Sequence, residues 1–243
     1  MDELRARFKR IAPAAEFCSL RLVDERTEHL RVRQNVVQPL QRGVDVGAMI
    51  TVFASGGMGY GATSDLSEGG LRAAAAHAMH WARRSAGRCV VDPSTLTMPK
   101  PQGSYSGAVG QTWESVPLAH KLDLLRRECA RLKVDDAIVD WEASLWHTGT
   151  RFVYLTADGG EVEQRFELLV PGMVAIANRG GDTQARTLGG RGVCRQGGLE
   201  VLDEIAYCEQ APRIAAEALQ LLDAPNCPTG TMDLVLDPDQ MLL

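Results

Sequence analysis

Between residues 44 and 52 the chain alternates at every step. Val44, Val46, Ala48, Ile50 and Val52 are apolar, and Asp45, Gly47, Met49 and Thr51 stand between them. A period of two sends the two sets to opposite faces of an extended chain, so this segment reads as a strand with one face in a core. Shorter alternations over 18–22 and 30–33 repeat the pattern, which is that of antiparallel strands with one wet face.

Helices punctuate the strands. Leu4, Phe8 and Ile11 lie at helical spacing among charges and predict a short amphipathic helix over 2–11. Asp65-Leu66-Ser67-Glu68 reads as a capping box in which Asp65 accepts from first-turn amides and Glu68 reaches back. The helix it opens runs to about Ser85, with Leu71, Ala74, Ala75, Ala78, Met79 and Ala82 as its apolar stripe and Gly87 as its stop. Residues 1–91 thus form a first unit of helix, three or four antiparallel strands, and helix.

Residues 92–116 carry Pro93, Pro99, Pro101, Gly103, Gly107 and Gly110 among serines and threonines, and read as a linker. A second unit over 117–224 begins with a helix that Pro117 opens and that extends to about Lys133. Strands follow at 138–146 and 151–156, and Ala157-Asp158-Gly159-Gly160 is a tight hairpin turn into 161–170. A segment at 173–177, a glycine-rich stretch over 180–198 and a helix over about 199–222 complete it. Residues 225–243 read as a second linker, a strand at 233–236, and a helix start at Asp237-Pro238 that stops before its second turn. The fold class expected is α+β: two units of antiparallel sheet with packed helices, plus the first strand of a third, C-terminal domain. The chain then reads as the N-terminal part of a longer protein.

Composition narrows the function classes. A chain of 243 residues with 45% apolar side chains buries a real core. The net charge of -5 rests on 22 Arg and 4 Lys against 31 acids, which leaves no basic excess for a phosphate backbone, so no nucleic-acid partner is expected. No window approaches the roughly 18 to 20 apolar residues of a membrane span. Met1-Asp2-Glu3-Leu4-Arg5 is unlike the apolar core of a signal peptide. No membrane partner is expected, and the cytoplasm is the default address. Cys18, Cys89, Cys129, Cys194, Cys208 and Cys227 lie far apart with no C-x-x-C pair, as free and mostly buried thiols would.

Several motifs invite chemistry, and each has a plainer reading. Gly57-Met58-Gly59-Tyr60-Gly61-Ala62 fits a variant of the dinucleotide fingerprint. It follows an antiparallel run, however, and no acidic residue ends a following strand about 20 residues on, so a glycine-rich turn is expected. His77 and His80 lie three apart on a helix without a visible third metal ligand. His29, His120 and His147 stand alone. Ser104 and Ser106 lack the strand-turn-helix of a nucleophile elbow, and Asp135, Asp136 and Asp140 fit capping near a helix end. No catalytic, cofactor-binding or metal-binding residue is assigned within these 243 residues.

The order of features resembles the TldD/PmbA family, candidate modulators of gyrase now seen as metallopeptidases. Gly43-Val44-Asp45-Val46 through Gly59-Tyr60-Gly61-Ala62-Thr63-Ser64-Asp65-Leu66-Ser67 is similar to the family's first block. The stretch 151–162 with its Asp158-Gly159 turn resembles the middle block, and Pro228-Thr229-Gly230 through Leu234-Val235-Leu236-Asp237-Pro238 the entry to the last. The resemblance implies a zinc peptidase acting on unfolded or leader-type peptides, in a homodimer or in a heterodimer of related catalytic and non-catalytic subunits. Its H-E-x-x-x-H helix, two His for zinc and a Glu for the attacking water, would lie beyond Leu243. Zinc is therefore expected in the full-length protein and not in this chain. This part would shape the outer wall of a peptide chamber and a dimer surface, with sheet edges able to take an extended peptide. A non-catalytic partner or scaffold subunit of the same family, or a small-ligand binding protein using the 57–62 turn, are the alternatives.

Overall fold

Three strands run well past the stretches that alternate. In a computed structural model that describes residues 2–90, 92, 95–188, 190–236 and 241, β1 (Phe17–Arg33) joins the segments expected at 18–22 and 30–33. Each of the other two long strands, Ile138–Thr156 and Glu161–Arg179, likewise merges two expected pieces. In chain order the remaining strands are β2 (Val36–Val37), β3 (Gln41–Ala54), β4 (Gly57–Thr63) and β5 (Gln102–Ser106), then the two long ones as β6 and β7, then β8 (Asp182–Thr187) and β9 (Arg195–Gln196). The helices are α1 (Asp2–Ile11), α2 (Glu68–Ser85), α3 (Leu118–Leu132), α4 (Val201–Glu204) and α5 (Tyr207–Leu222). The fold class is α+β.

The chain divides into two compact units, and neither is a continuous stretch. Unit 1 comprises Met1–Arg26, Gly43–Gly107 and Gly149–Phe166; unit 2 comprises Thr27–Arg42, Ala108–Thr148 and Glu167–Leu243. The division differs from a linear cut at 91 and 116 because β1, β6 and β7 each contribute one stretch to each unit.

Unit 1 has the strand order β4-β3-β1-β6-β7-β5. α1 and α2 cover one face, and Phe8, Ile11, Leu71, Ala74 and Ala78 pack there with Leu20, Leu22, Ile50, Val52, Val153 and Leu155. The even-numbered residues of β3 from Ala48 onward are buried, as the alternation requires. The stretch read as a linker contains β5, which pairs with β7 in parallel, Gln102 opposite Glu161 through Ser106 opposite Arg165. That parallel edge departs from the purely antiparallel expectation. The Ala157–Gly160 turn forms as expected, with Thr156 N–H donating to Gly160 O at 2.9 Å and Gly159 at φ 104°.

Unit 2 orders its strands β2-β1-β6-β7, with β8 and β9 antiparallel to β7. The β1 to β2 hairpin turns on Gln34 and Asn35, both at positive φ (50° and 64°), and pairs Arg33 with Val36. Leu125, Cys129 and Leu132 of α3 and Tyr207, Ala211, Ile214, Ala215 and Ala218 of α5 share its core with Leu30, Val32, Leu145 and Leu169.

Three local expectations need correction. The N-cap of α2 is Ser67, not Asp65: Ser67 Oγ accepts from Gly70 N at 3.2 Å, and Asp65 Oδ1 accepts from Ser67 N at 2.9 Å one step earlier. Glu68 does not reach back, because Arg10 and Arg72 hold its carboxylate. The helix expected over 199–222 breaks at Ala206, which sits at φ 50°, between α4 and α5. Pro212 lies inside α5 and lacks the N–H that would bond to Cys208 O; the Arg131 guanidinium donates to that carbonyl instead. Residues 231–236 are exposed and form no strand, since among the described residues nothing pairs with them. The expected helix start at Asp237-Pro238 lies outside the described residues.

Candidate functional site

The glycines of the 57–62 motif explain themselves once β4 and α2 are seen together. The turn is Ser55-Gly56, both at positive φ (57° and 69°), the geometry of a two-residue hairpin matched to strand twist. Gly57, Gly59 and Gly61 therefore belong to a strand rather than to the glycine-rich turn expected, and all three face α2. A Cβ at Gly57 would fall 2.0 Å from Ala82 O, at Gly59 2.2 Å from Ala78 O, and at Gly61 2.1 Å from Ala74 O. Glycine at every second strand position meets alanine at every fourth helix position, which lets the helix lie directly on the strand. The glycine backbone is thus covered by a helix, where a dinucleotide would need it open.

This packing leaves a groove of about 360 Å³ lined by Met58, Gly59, Tyr60, His77, Trp81 and Ser85. Trp81 is half exposed and lies over Gly59. Its indole Nε1 donates to His77 Nε2 at 3.0 Å, and the Arg84 guanidinium stands 5.8 Å from the ring centroid. The lone pair of His77 Nε2 is thereby engaged. His80 lines a separate groove with Ile11, Pro13 and Met79, so the two histidines do not converge on a metal.

Unit 2 holds a buried polar cluster around Trp113. The Trp113 ring stacks flat on His147 with centroids 4.9 Å apart and planes 1° from parallel, and Lys121 Nζ sits 3.7 Å from its centroid. Lys121 Nζ also donates to Trp113 O at 2.9 Å, and Trp113 Nε1 donates to Glu28 Oε1 at 3.3 Å. Arg42 pairs with Glu28, and His147 Nε2 meets Glu167 Oε2 at 2.7 Å. Burial lowers the Lys121 pKa, with the Glu28 and Glu114 carboxylates opposing. Cation, ring and carboxylates are matched to one another, which is how a buried charged group is tolerated and which fixes the entry to α3.

The other residues singled out by sequence are dispersed. Ser104 and Ser106 are exposed on β5, and His120 is exposed on α3. His29 lies against Trp146, and burial lowers its pKa. Asp135 Oδ1 accepts from Ala137 N at 2.8 Å, a turn cap, and Asp140 is paired with Arg33. The thiols divide evenly rather than being mostly buried: Cys18 and Cys129 are buried, Cys89 and Cys194 intermediate, Cys208 and Cys227 exposed. Burial pushes the Cys18 thiol up to about 12, which removes it as a nucleophile. Among the described residues no group of three His, Cys, Asp or Glu converges to hold a metal. The zinc implied by the family resemblance has no donor set there. No helix among the described residues is long and apolar enough to cross a membrane.

Comparisons with known proteins agree with this architecture. The family model for PmbA/TldA metallopeptidase domain 1 matches residues 18–82. A protein named metalloprotease from Methanothermobacter thermautotrophicus is 24% identical over 234 residues, covering 94% of this chain and 48% of its own length. The chain thus spans about half the length of that curated relative. The crystal structure of a candidate modulator of a DNA gyrase from Thermotoga maritima has a TM-score of 0.67 at 16% identity, over 94% of this chain and 49% of that one. TldE from Thermococcus kodakarensis has a TM-score of 0.56 at 12% identity, over 90% of this chain and 46% of its own. The sequence match over 18–82 is to a metallopeptidase domain, and the solved structures share the fold. The chain is thus similar to the TldD/PmbA family in the sequence of residues 18–82 and in fold.

The groove beside Trp81 was not apparent from the motifs. Its signal was present in the spacing, glycine at 57, 59 and 61 against alanine at 74, 78 and 82.

Proposed function

We propose that this chain is the N-terminal region of a TldD-type zinc peptidase that hydrolyses unfolded or leader-type peptides. In this reading residues 1–243 shape the substrate chamber and a dimer surface, in a homodimer or a heterodimer with a related subunit, in the cytoplasm. Zinc and the catalytic residues belong to sequence beyond this region. The observation that carries the reading is the agreement between the domain 1 match over 18–82 and the fold shared along 94% of the chain.

The test compares the product of the whole open reading frame with residues 1–243 alone, using zinc analysis and hydrolysis of an unfolded peptide. The expected result is a zinc-bearing long protein whose hydrolysis stops on chelation, and no hydrolysis by residues 1–243. A long protein without zinc or hydrolysis would assign the chain to a non-catalytic partner subunit instead. Hydrolysis by residues 1–243 alone would contradict the assignment of chemistry to the rest of the protein.

A further inference from the structure

Along α2, the residues Arg72, Ala76, Met79, His80, Arg83 and Arg84 recur at the three- and four-residue spacing of a single helix face. The sheet side of the helix is a different set, Leu71, Ala74, Ala78 and Ala82. Beside the outer face stand Ile11, the last residue of α1, and Pro13, and together they enclose a groove of about 490 Å³. This groove lies wholly within unit 1.

Its charge runs against that of the molecule. The chain has 31 acids to 26 bases, and elsewhere its arginines meet carboxylates, as Arg33 meets Asp140 and Arg151 meets Glu163. No acidic residue lines the groove. Among the described residues Arg83 makes no ion pair, and Arg84 stands 5.8 Å from the Trp81 ring centroid without a carboxylate partner. At the other end Arg72 shares the single carboxylate of Glu68 with Arg10. The groove therefore presents one sign of charge.

The placement of that charge selects the occupant. The cations stand at the two ends, about 16 Å apart along the helix axis, and between them the exposed Ala76 and half-buried Met79 make an apolar floor. A phosphate backbone, charged along its whole length, would lay its middle on methyl groups. A helix with carboxylates three turns apart and an apolar stripe between them meets both features. Alanines at 75 and 76 let such a helix approach α2 at the short end of the usual 8–10 Å spacing. Antiparallel packing sets its N-terminus, where acidic residues are favoured, beside the C-terminal turn of α2 that carries Arg83 and Arg84.

We propose that this groove docks an acidic amphipathic α-helix of a partner protein, antiparallel to α2, with carboxylates on Arg72 and on Arg83 and Arg84 and its apolar stripe over Ala76 and Met79. The surface belongs to the helix side of unit 1 and involves neither metal nor hydrolysis, so it stands apart from the peptidase reading.

The test titrates the 243-residue chain, methyl-labelled at methionine and alanine, with acetyl-Glu-Glu-Ala-Gln-Leu-Ala-Gln-Leu-Leu-Gln-Ala-Glu-Gln-Ala-amide, whose glutamates and leucines share one helical face. The expected result is movement of the Met79 and Ala76 methyl signals, with affinity about tenfold weaker when the three glutamates become glutamines. The double variant Arg83→Glu, Arg84→Glu, altered only on an exposed face, is expected to bind the parent peptide at least tenfold more weakly. A peptide whose first two glutamates become lysines should recover binding to that variant, which a fault in folding would not allow. Equal binding of the glutamate and glutamine peptides, or no recovery on the charge swap, would overturn the proposal. Movement of the same methyl signals by phosphatidylglycerol vesicles or tripolyphosphate, with none by the peptide, would overturn it in favour of a phosphate-bearing partner.

Discussion

Gly59→Ala is the sharpest perturbation of the contact between β4 and α2. The added Cβ would lie 2.2 Å from Ala78 O, 2.5 Å from Ala82 N and 2.8 Å from Trp81 Cβ. Two of these three are helix backbone, so no rotamer change relieves the clash. Ordinary contact begins near 3.4 Å, so α2 must retreat from the strand by about 1 Å. That retreat opens the packing of Ala74, Ala78 and Ala82, all of which are buried. Overpacking of this kind costs about 3 kcal/mol, at the upper end of its usual range, because the obstacle is main chain. For a chain of this length about 2–4 °C accompanies each kcal/mol, so a fall in Tm of roughly 6–12 °C is expected by calorimetry. Gly181→Ala is the control, since a Cβ there meets nothing within 4 Å. Equal melting of the two variants would refute the close-packing account of the glycine motif.

Other substitutions probe the remaining supports. Ser67→Ala removes the oxygen that accepts from Gly70 N and is expected to cost about 1 kcal/mol in urea unfolding; no change would mean that α2 is capped elsewhere. Arg131→Ala strips the partner from the buried Glu128 carboxylate and from Cys208 O, for an expected loss of about 1–3 kcal/mol. Arg131→Lys should recover only part of it, and full recovery would show that charge alone suffices. Glu200 is held at about 2, because although burial pushes its pKa up, the amides of Gly198, Gly110 and Gln111 outweigh that. Its folded pKa lies below the ordinary 4.5, so its contribution is complete above pH 4.5 and drains away as pH falls toward about 2. Glu163, held at about 2 first by its hydrogen bond from Arg151 and further by Arg165, acts in the same window. The urea midpoint should fall across that window, and less steeply in Glu200→Gln; identical slopes would remove Glu200 from the acid limb.

The elements that the sequence displays plainly are those with local signals. Leu4, Phe8 and Ile11 mark α1, Gly87 ends α2, and Asp158-Gly159 turns β6 into β7. The long strands were hidden by residues that mimic turns. Asp24-Glu25-Arg26-Thr27-Glu28 looks like a polar loop, yet it continues β1 because partners across the sheet meet the charges, as Glu28 meets Arg42. Pro171-Gly172 looks like a strand end, yet Pro171 falls between the β9 register at Leu168 and Leu169 and the β8 register that begins at Val174. A local reading has no access to such pairings. It also misplaced the α2 cap by two residues, because Asp65 and Ser67 are both capping residues and only the backbone at Ser67, extended at ψ 160°, distinguishes them. The groove beside Trp81 needs a strand and a helix in register, a relation between distant segments that no single motif expresses.

The central proposal is that these residues precede the catalytic half of a zinc peptidase. The most direct measurement is the coding sequence immediately following the codon for Leu243. An open frame carrying H-E-x-x-x-H within a few codons is the expected result. A stop codon there, or an open frame without the two histidines, would contradict it.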